Sequence, residues 1–423
     1  MPPITRRELA RNSALAAGLL GASGWLGFDC GDEEEPRAAA RLAKCVSMGS
    51  VDHGGDPEDL TAHGNLDLVL ETGAPWVRIW IRWDKAQPAP PGRVPVSALG
   101  EPANDLPGCG TGCGVRYVQS IDAQIAQARA AGLRVILATW QFPRWANGTE
   151  GVPEDWARED RGWANTPVSR LKAMEYRVPV GQLGPDGHYG RWIDWLVRRY
   201  SQHGPDLALE LMNEPNHQLW PQQGPSTTGD PYGPGPRVID AYVAEMMDTA
   251  RAVSEEHGHP IRMAGPALTD RDGSDNRLMT RFTTLTPEIL SRLDSHRFPA
   301  TPSFVWTHHN YTDVESGTPS PSGVEQLRSQ LRGRWRGRGG RGAPRIWLTE
   351  GGARLGSGLA TDLDRQAALV RRNWRRMRAI GGIEVWTNYL LYSNPTADSG
   401  LRESRESGGA PRPVWGVFGS LRA

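Results

Sequence analysis

Leu207-Ala-Leu-Glu-Leu-Met-Asn-Glu-Pro-Asn216 is an apolar run that breaks into polar residues. Its length and composition suit a strand covered on both faces. Pro215 cannot donate to a ladder, so the strand is expected to stop there and present Glu214 at its C-terminal end. Seven other runs have the same character, at residues 44–50, 76–82, 133–139, 261–266, 304–309, 345–349 and 383–388. Helical patterns lie between them, at 57–72, 117–131, 189–203, 238–257, 287–293, 324–332 and 362–380. Thr361 and Asp362 are N-cap candidates for the last of these, and Gly381-Gly382 should end it. Eight strands with helical crossovers predict an α/β fold, a (β/α)8 TIM barrel. A doubly wound sheet is the alternative, but Gly49, Gly54 and Gly55 after the first strand do not form its G-x-G-x-x-G turn. No repeat of solenoid period is present.

In such a barrel the segments 88–113, 142–188, 216–236 and 390–413 all leave C-terminal strand ends. They are long, and they carry Trp145, Trp156, Trp163, Trp220 and Tyr232. They therefore read as walls of a cleft. Arg345-Ile-Trp-Leu-Thr-Glu-Gly-Gly352 repeats the first pattern: an apolar strand delivers Glu350 to the same mouth, and two glycines turn the chain away. Strands four and seven are expected on opposite sides of the barrel, with Glu214 and Glu350 facing each other. Two facing carboxylates are what retaining glycoside hydrolysis needs, one as nucleophile and one as acid, at a gap of about 5–5.5 Å; inversion needs about 6.5–9.5 Å.

The 423 residues carry 48 basic and 48 acidic side chains. A net charge of zero argues against bulk binding to nucleic acid or anionic membranes. The Arg-rich stretch 328–345 is read as a solvated loop. Seventeen Trp against nine Tyr and six Phe is unusual. Indole faces suit sugar rings, with core filling as the other reading. Thr5-Arg6-Arg7-Glu8-Leu9 ahead of a mild apolar run reads as a twin-arginine export signal. Residues 1–40 are accordingly expected to be signal and acidic linker, and residues 41–423 the catalytic domain. The mature protein is expected to be exported to the periplasm or beyond, without a stable membrane span, and to act as a monomer. A lipid anchor at Cys30 is a lesser alternative. Cys109 and Cys113, in a Gly-rich loop, are expected to form a disulfide in an oxidising compartment. Cys45 is expected to be a small buried hydrophobe. No metal-ligand cluster is evident, and no cofactor is expected.

The chain resembles the clan A glycoside hydrolases, retaining enzymes on this barrel, from about Lys44 to the C-terminus. Asn213-Glu214-Pro215 looks like the clan's acid/base motif, which implies that Asn213 holds the sugar 2-hydroxyl. Thr349-Glu350 looks like the nucleophile strand. Arg78 in Trp76-Val-Arg78-Ile resembles the second-strand Arg that bonds the nucleophile, and pairing to a structural carboxylate is its alternative. His309-Asn-Tyr311 is similar to the clan's His-x-Tyr, which implies that Tyr311 touches Glu350. Trp386 matches the frequent sugar platform on strand eight. Family 5, the cellulase family, usually has a His after strand three. Thr139-Trp140-Gln-Phe-Pro-Arg-Trp145-Ala146 has none and leans toward family 39, which counts against an endo-cellulase. Trp140 and Trp145 are stacking candidates, core packing being equally open for Trp145. The resemblance implies a carbohydrate substrate and a low pKa for Glu350 beside Arg78 and Tyr311. A non-catalytic carbohydrate-binding barrel is the alternative. His308 and His309 should point to opposite faces of their strand.

Overall fold

The computed structural model describes residues 41–50, 56, 58–90, 113–147, 180–216, 239–270, 282–293, 304–317, 322–336, 345–355, 362–394 and 398–422. The expectations for the N-terminal forty residues and for the Cys109–Cys113 pair lie outside what is described.

Eight parallel strands close into a barrel in the order β1 to β8, with β8 pairing β1. They are β1 (Ala43–Ser47), β2 (Trp76–Arg82), β3 (Arg134–Trp140), β4 (Leu207–Glu210), β5 (Arg262–Thr269), β6 (Phe304–His309), β7 (Ile346–Glu350) and β8 (Ile383–Tyr389). A helix follows each strand: α1 (Asn65–Glu71), α2 (Cys113–Ala130), α3 (His188–Tyr200), α4 (Ile239–Glu256), α5 (Phe282–Arg292), α6 (Gly323–Arg336), α7 (Leu363–Ile380) and α8 (Pro413–Ser420). This is the expected (β/α)8 barrel. No helix among the described residues is long and apolar enough to cross a membrane.

The floor of the barrel takes one inward side chain from each strand: Cys45, Trp76, Ile136, Ala208, Ala264, Val305, Trp347 and Val385. Two indoles, Trp76 and Trp347, meet edge to face at 4.7 Å, and small residues elsewhere in the ring make room for them. Burial pushes the Cys45 thiol up to about 12, so it packs as a neutral hydrophobe, as expected. Strand alternation then fixes what stands above this layer. Arg78 is two residues after Trp76, Glu210 two after Ala208 and Thr387 two after Val385.

The helices sit outside on apolar stripes. In α3 the buried set Tyr189, Trp192, Ile193, Leu196, Val197 and Tyr200 keeps the i, i+3, i+4, i+7 spacing of one helical face. Asp362 caps α7, accepting from the backbone N–H of Asp364 (2.8 Å) and Arg365 (3.1 Å), worth about 1 kcal/mol. Gly381, at φ 69°, ends the helix. The stretch before Asn65 is turns, so α1 is much shorter than the 57–72 expected. The helix α8 was not anticipated. Gly416, Gly419 and two β-branched valines give it little propensity, and packing on α7 and β8 supplies what the sequence pattern lacks. Lys44 also holds it. Its buried Nζ donates to Phe418 O (3.0 Å) at the end of α8 and to Thr72 O (2.6 Å) at the end of α1. Burial, with Arg422 nearby, lowers the Lys44 pKa to about 8.

Candidate active site

The β4 strand ends at Glu210, two residues short of Met212, where the apolar run ends, and the chain continues upward as an anchored loop. Leu211 donates its N–H to Ala264 O of β5 (3.0 Å), and its carbonyl accepts from Thr139 Oγ1 of β3 and Tyr189 OH of α3. Asn216 closes the loop with a two-way clamp: its Nδ2 donates to Thr269 O and its Oδ1 accepts from Thr269 N–H, both at 2.8 Å. Between these anchors Glu214 takes a left-handed φ of 43°. For a residue with a Cβ this costs on the order of 1–3 kcal/mol, and the anchors on either side maintain it.

Glu350 ends β7. Its carbonyl accepts from Asn310 N–H (3.0 Å), and Gly351, pressed against Asn310, has no room for a side chain. A register shift in the β6–β7 ladder sets His309 opposite Glu350. Such irregularities re-aim side chains at strand ends. His308 faces the other way, against Phe282 of α5 at 4.6 Å, and burial drops its pKa to about 3, so it is neutral. The two histidines therefore do point to opposite faces.

One oxygen of Glu214, one ring nitrogen of His309 and one oxygen of Glu350 lie within 4.8 Å of one another, all buried. Strands four and seven are three places apart around the ring, not opposite as expected, and this places their carboxylates close together. His309 Nδ1 is 2.9 Å from Glu214 Oε1 and 3.6 Å from Glu350 Oε2. Tyr311 OH donates to Glu350 Oε2 at 2.7 Å. Arg78 Nη1 stands 2.8 Å from Glu350 Oε1. Three donor atoms at such spacing could also share a divalent ion. Here the His309–Glu214 hydrogen bond spans it, and Arg78 brings positive charge.

Both readings of Arg78 hold at once. Its Nη2 also pairs with Glu210 Oε1 at 2.5 Å, a carboxylate with no exposed surface. The same Nη2 donates to Asn213 Oδ1 (3.1 Å), which leaves the Asn213 Nδ2 as the amide's donor toward the mouth. The guanidinium lies 4.1 Å from the Trp80 ring. Burial opposes its charge, but Glu210 and Glu350 outweigh burial and raise its pKa.

The pKa of Glu350 is raised, not low as expected. Burial is the largest influence, and His309, Arg78 and the Tyr311 hydroxyl pull back only part of it. Burial also opposes charge on His309, but Glu350 and Glu214 overcome it and raise its pKa.

Trp386 does not reach this site. It falls on the outward phase of β8, fully buried between Trp374 and Phe418, with its Nε1 donating to Asn373 Oδ1 at 2.9 Å. The expectation of a sugar platform there is corrected: Trp386 anchors α7 and α8 to the barrel. The aromatic side chain of β8 at the mouth is Tyr389, half-buried, edge to face with Tyr311 at 6.2 Å. Trp140 stays at the mouth. It lines a pocket with Trp83, Gln141, Phe142, Met212 and Asn213. Trp145 is wall: its indole N–H donates to Gln87 O (2.9 Å) and its ring packs on Trp83. Sequence reasoning missed Glu210 and Tyr389. The signal for Glu210 was present, since a carboxylate at an inward position of an apolar strand needs a cation, and Arg78 shares its layer.

Solved structures similar to this chain are barrels of low identity. An endo-beta-1,4-glucanase from Xanthomonas axonopodis pv. citri, carrying a triple mutation, is 13% identical with a TM-score of 0.51, over 89% of this chain and 98% of that one. A second endo-beta-1,4-glucanase from the same organism is 13% identical at 0.50, over 89% and 97%. XacCel5A in complex with cellopentaose is 13% identical at 0.50, over 90% and 99%. No curated protein sequence matches. The family model described as cellulase (glycosyl hydrolase family 5) matches residues 47–387. This corrects the lean toward family 39 drawn from the segment after β3: despite lacking a His there, the chain, with its paired carboxylates on a (β/α)8 barrel, belongs to the cellulase family, glycosyl hydrolase family 5, and is a glycosidase.

Proposed function

We propose that the protein hydrolyses a β-1,4-linked glucan or its oligosaccharides with retention of configuration. The observation that carries this is the approach of Glu214 and Glu350 to within 4.8 Å, with Arg78 and Tyr311 on the oxygens of Glu350. Oxygens of the two carboxyls this close leave little room for a water between them, which favours retention. A Glu350 oxygen attacks the anomeric carbon as the bond to the leaving oxygen breaks, and the departing electron pair takes a proton from Glu214. Water then attacks the same carbon, gives its proton to the Glu214 carboxylate, and releases Glu350. Glu350 attacks as the anion, and His309, Arg78 and the Tyr311 hydroxyl favour that anion against the pull of burial. Asn213 Nδ2 is the donor for the sugar 2-hydroxyl, and Tyr389 and Trp140 are the flat faces for the ring. The glucan is the one that the cellulase family is named for and that the similar endo-beta-1,4-glucanase and cellopentaose-bound barrels act on or hold. Proton NMR during hydrolysis of cello-oligosaccharides tests the reading. The first-formed reducing end should be the β anomer, and initial α product would overturn it.

The twin-arginine pattern supports export of the folded enzyme. Arg6→Lys with Arg7→Lys should leave the protein in the cytoplasmic fraction. Undiminished export of that double variant would end the proposal.

A further inference from the structure

Arg78 is a buried cation with two carboxylate partners, and only one of them reacts. In the double displacement Glu350 becomes a neutral ester, so its charge is spent while the glycosyl-enzyme lasts. Arg78 cannot shed its proton to match. Its remaining contacts with Asn213 Oδ1, with Ser47 Oγ at 3.4 Å and with the Trp80 face are neutral. A buried cation left with neutral partners alone is strongly unfavourable.

We infer that Glu210 is the standing counter-ion of Arg78, a positioning residue that keeps the guanidinium paired while Glu350 is esterified. The inference rests on the retaining reading above. Glu210 is placed for this work. It has no exposed surface, lies one inward step above Ala208 on β4, and touches Arg78 Nη2 at 2.5 Å on the side away from Glu350. No substrate atom needs to reach it. His309 does not replace it, because an imidazole can lose its proton as Glu350 loses its charge, whereas Arg78 stays positive throughout.

A second consequence concerns the free enzyme. The charged and titratable groups facing Glu350 are Arg78 of β2, Glu214 after β4, His309 and Tyr311 at the end of β6, and Tyr389 of β8. Glu210 divides the charge of Arg78 between two carboxylates. With Gln at 210 that charge falls on Glu350 alone, which favours its anion. The acid limb of kcat/KM should then move to lower pH, whereas a loss of packing would leave it in place.

The test uses Glu210→Gln in the full chain with 2,4-dinitrophenyl 2-deoxy-2-fluoro-β-cellobioside, whose fluorine slows turnover of the intermediate. The burst of dinitrophenolate and the mass of the adduct are followed. Wild type should form the adduct stoichiometrically. Glu210→Gln should form it at least ~10²-fold more slowly, the scale of an unpaired buried charge in the state being formed. Its acid limb should be displaced downward. Glu210→Asp keeps the charge and should recover most of the rate, which also serves if the Gln variant fails to fold. An Asp variant as slow as Gln, or a Gln variant within about threefold of wild type with its acid limb unmoved, would overturn the inference. Wild type that hydrolyses unfluorinated dinitrophenyl cellobioside without ever forming the fluoro adduct would instead remove the retaining reading, and the inference with it.

Discussion

Glu350→Ala should lower turnover of dinitrophenyl cellobioside by a factor on the order of 10⁶, the scale seen when an enzyme loses its nucleophile. No covalent intermediate can form, and no neighbouring group can substitute. Tyr311 is a hydrogen-bond donor at this site, and Glu214 approaches from the acid's position. The barrel should survive the change. Arg78 keeps its 2.5 Å pair with Glu210 and its hydrogen bond to Asn213, so the substitution strands no buried cation. Small anions should then find the vacated space, since Arg78 and Tyr311 still point into it. Azide at high concentration should attack from that face and return a glycosyl azide of inverted configuration, identifiable by NMR. Activity within about tenfold of wild type would show that Glu350 is not the nucleophile.

The barrel was legible because its strands are near-continuous apolar runs, which only a sheet covered on both faces accommodates. β2 and β6 lie where the pattern puts them, and the others shift by a few residues at their ends. Both carboxylates were legible because each stands where an apolar strand breaks. The left-handed turn at Glu214 and the β6–β7 irregularity were not, because they are fixed by long-range anchors such as the Asn216–Thr269 clamp, over residues 53 apart. Trp386 misled because indole is equally at home against a sugar or in a core. The phase of β8 decides between them, and the outward phase follows from Val385 facing the barrel floor. The abundance of Trp has the same resolution in part: Trp76, Trp83, Trp192, Trp306 and Trp347 are also fully buried. Glu210 was overlooked for a different reason. Beside Asn213-Glu214-Pro215 it looks like one more strand residue, and its partner is 132 positions away in the sequence.

Glu214→Ala should behave unlike Glu350→Ala, and the pattern matters more than the size of the loss. Loss of a general acid–base group typically costs about 10²–10⁴-fold. That cost depends on the leaving group. Dinitrophenolate departs without a proton, so Glu350, still paired with Arg78 and hydrogen-bonded by Tyr311, can form the intermediate at nearly the wild-type rate. Hydrolysis of the intermediate needs Glu214 to take a proton from water, so that step becomes slow. Stopped-flow absorbance should therefore show a burst of dinitrophenolate, near one equivalent of enzyme, followed by a low steady rate. Cellopentaose, whose leaving sugar requires protonation, should be turned over scarcely at all. Azide needs no general base and should accelerate the steady phase, giving here the glycosyl azide of retained configuration. The opposite stereochemistry of the two azide products, from variants on β7 and after β4, assigns the two carboxylates independently of any rate. Equal losses on dinitrophenyl cellobioside and cellopentaose, with no rescue by azide, would show that Glu214 is not the acid/base and that the left-handed turn presenting it serves some other end.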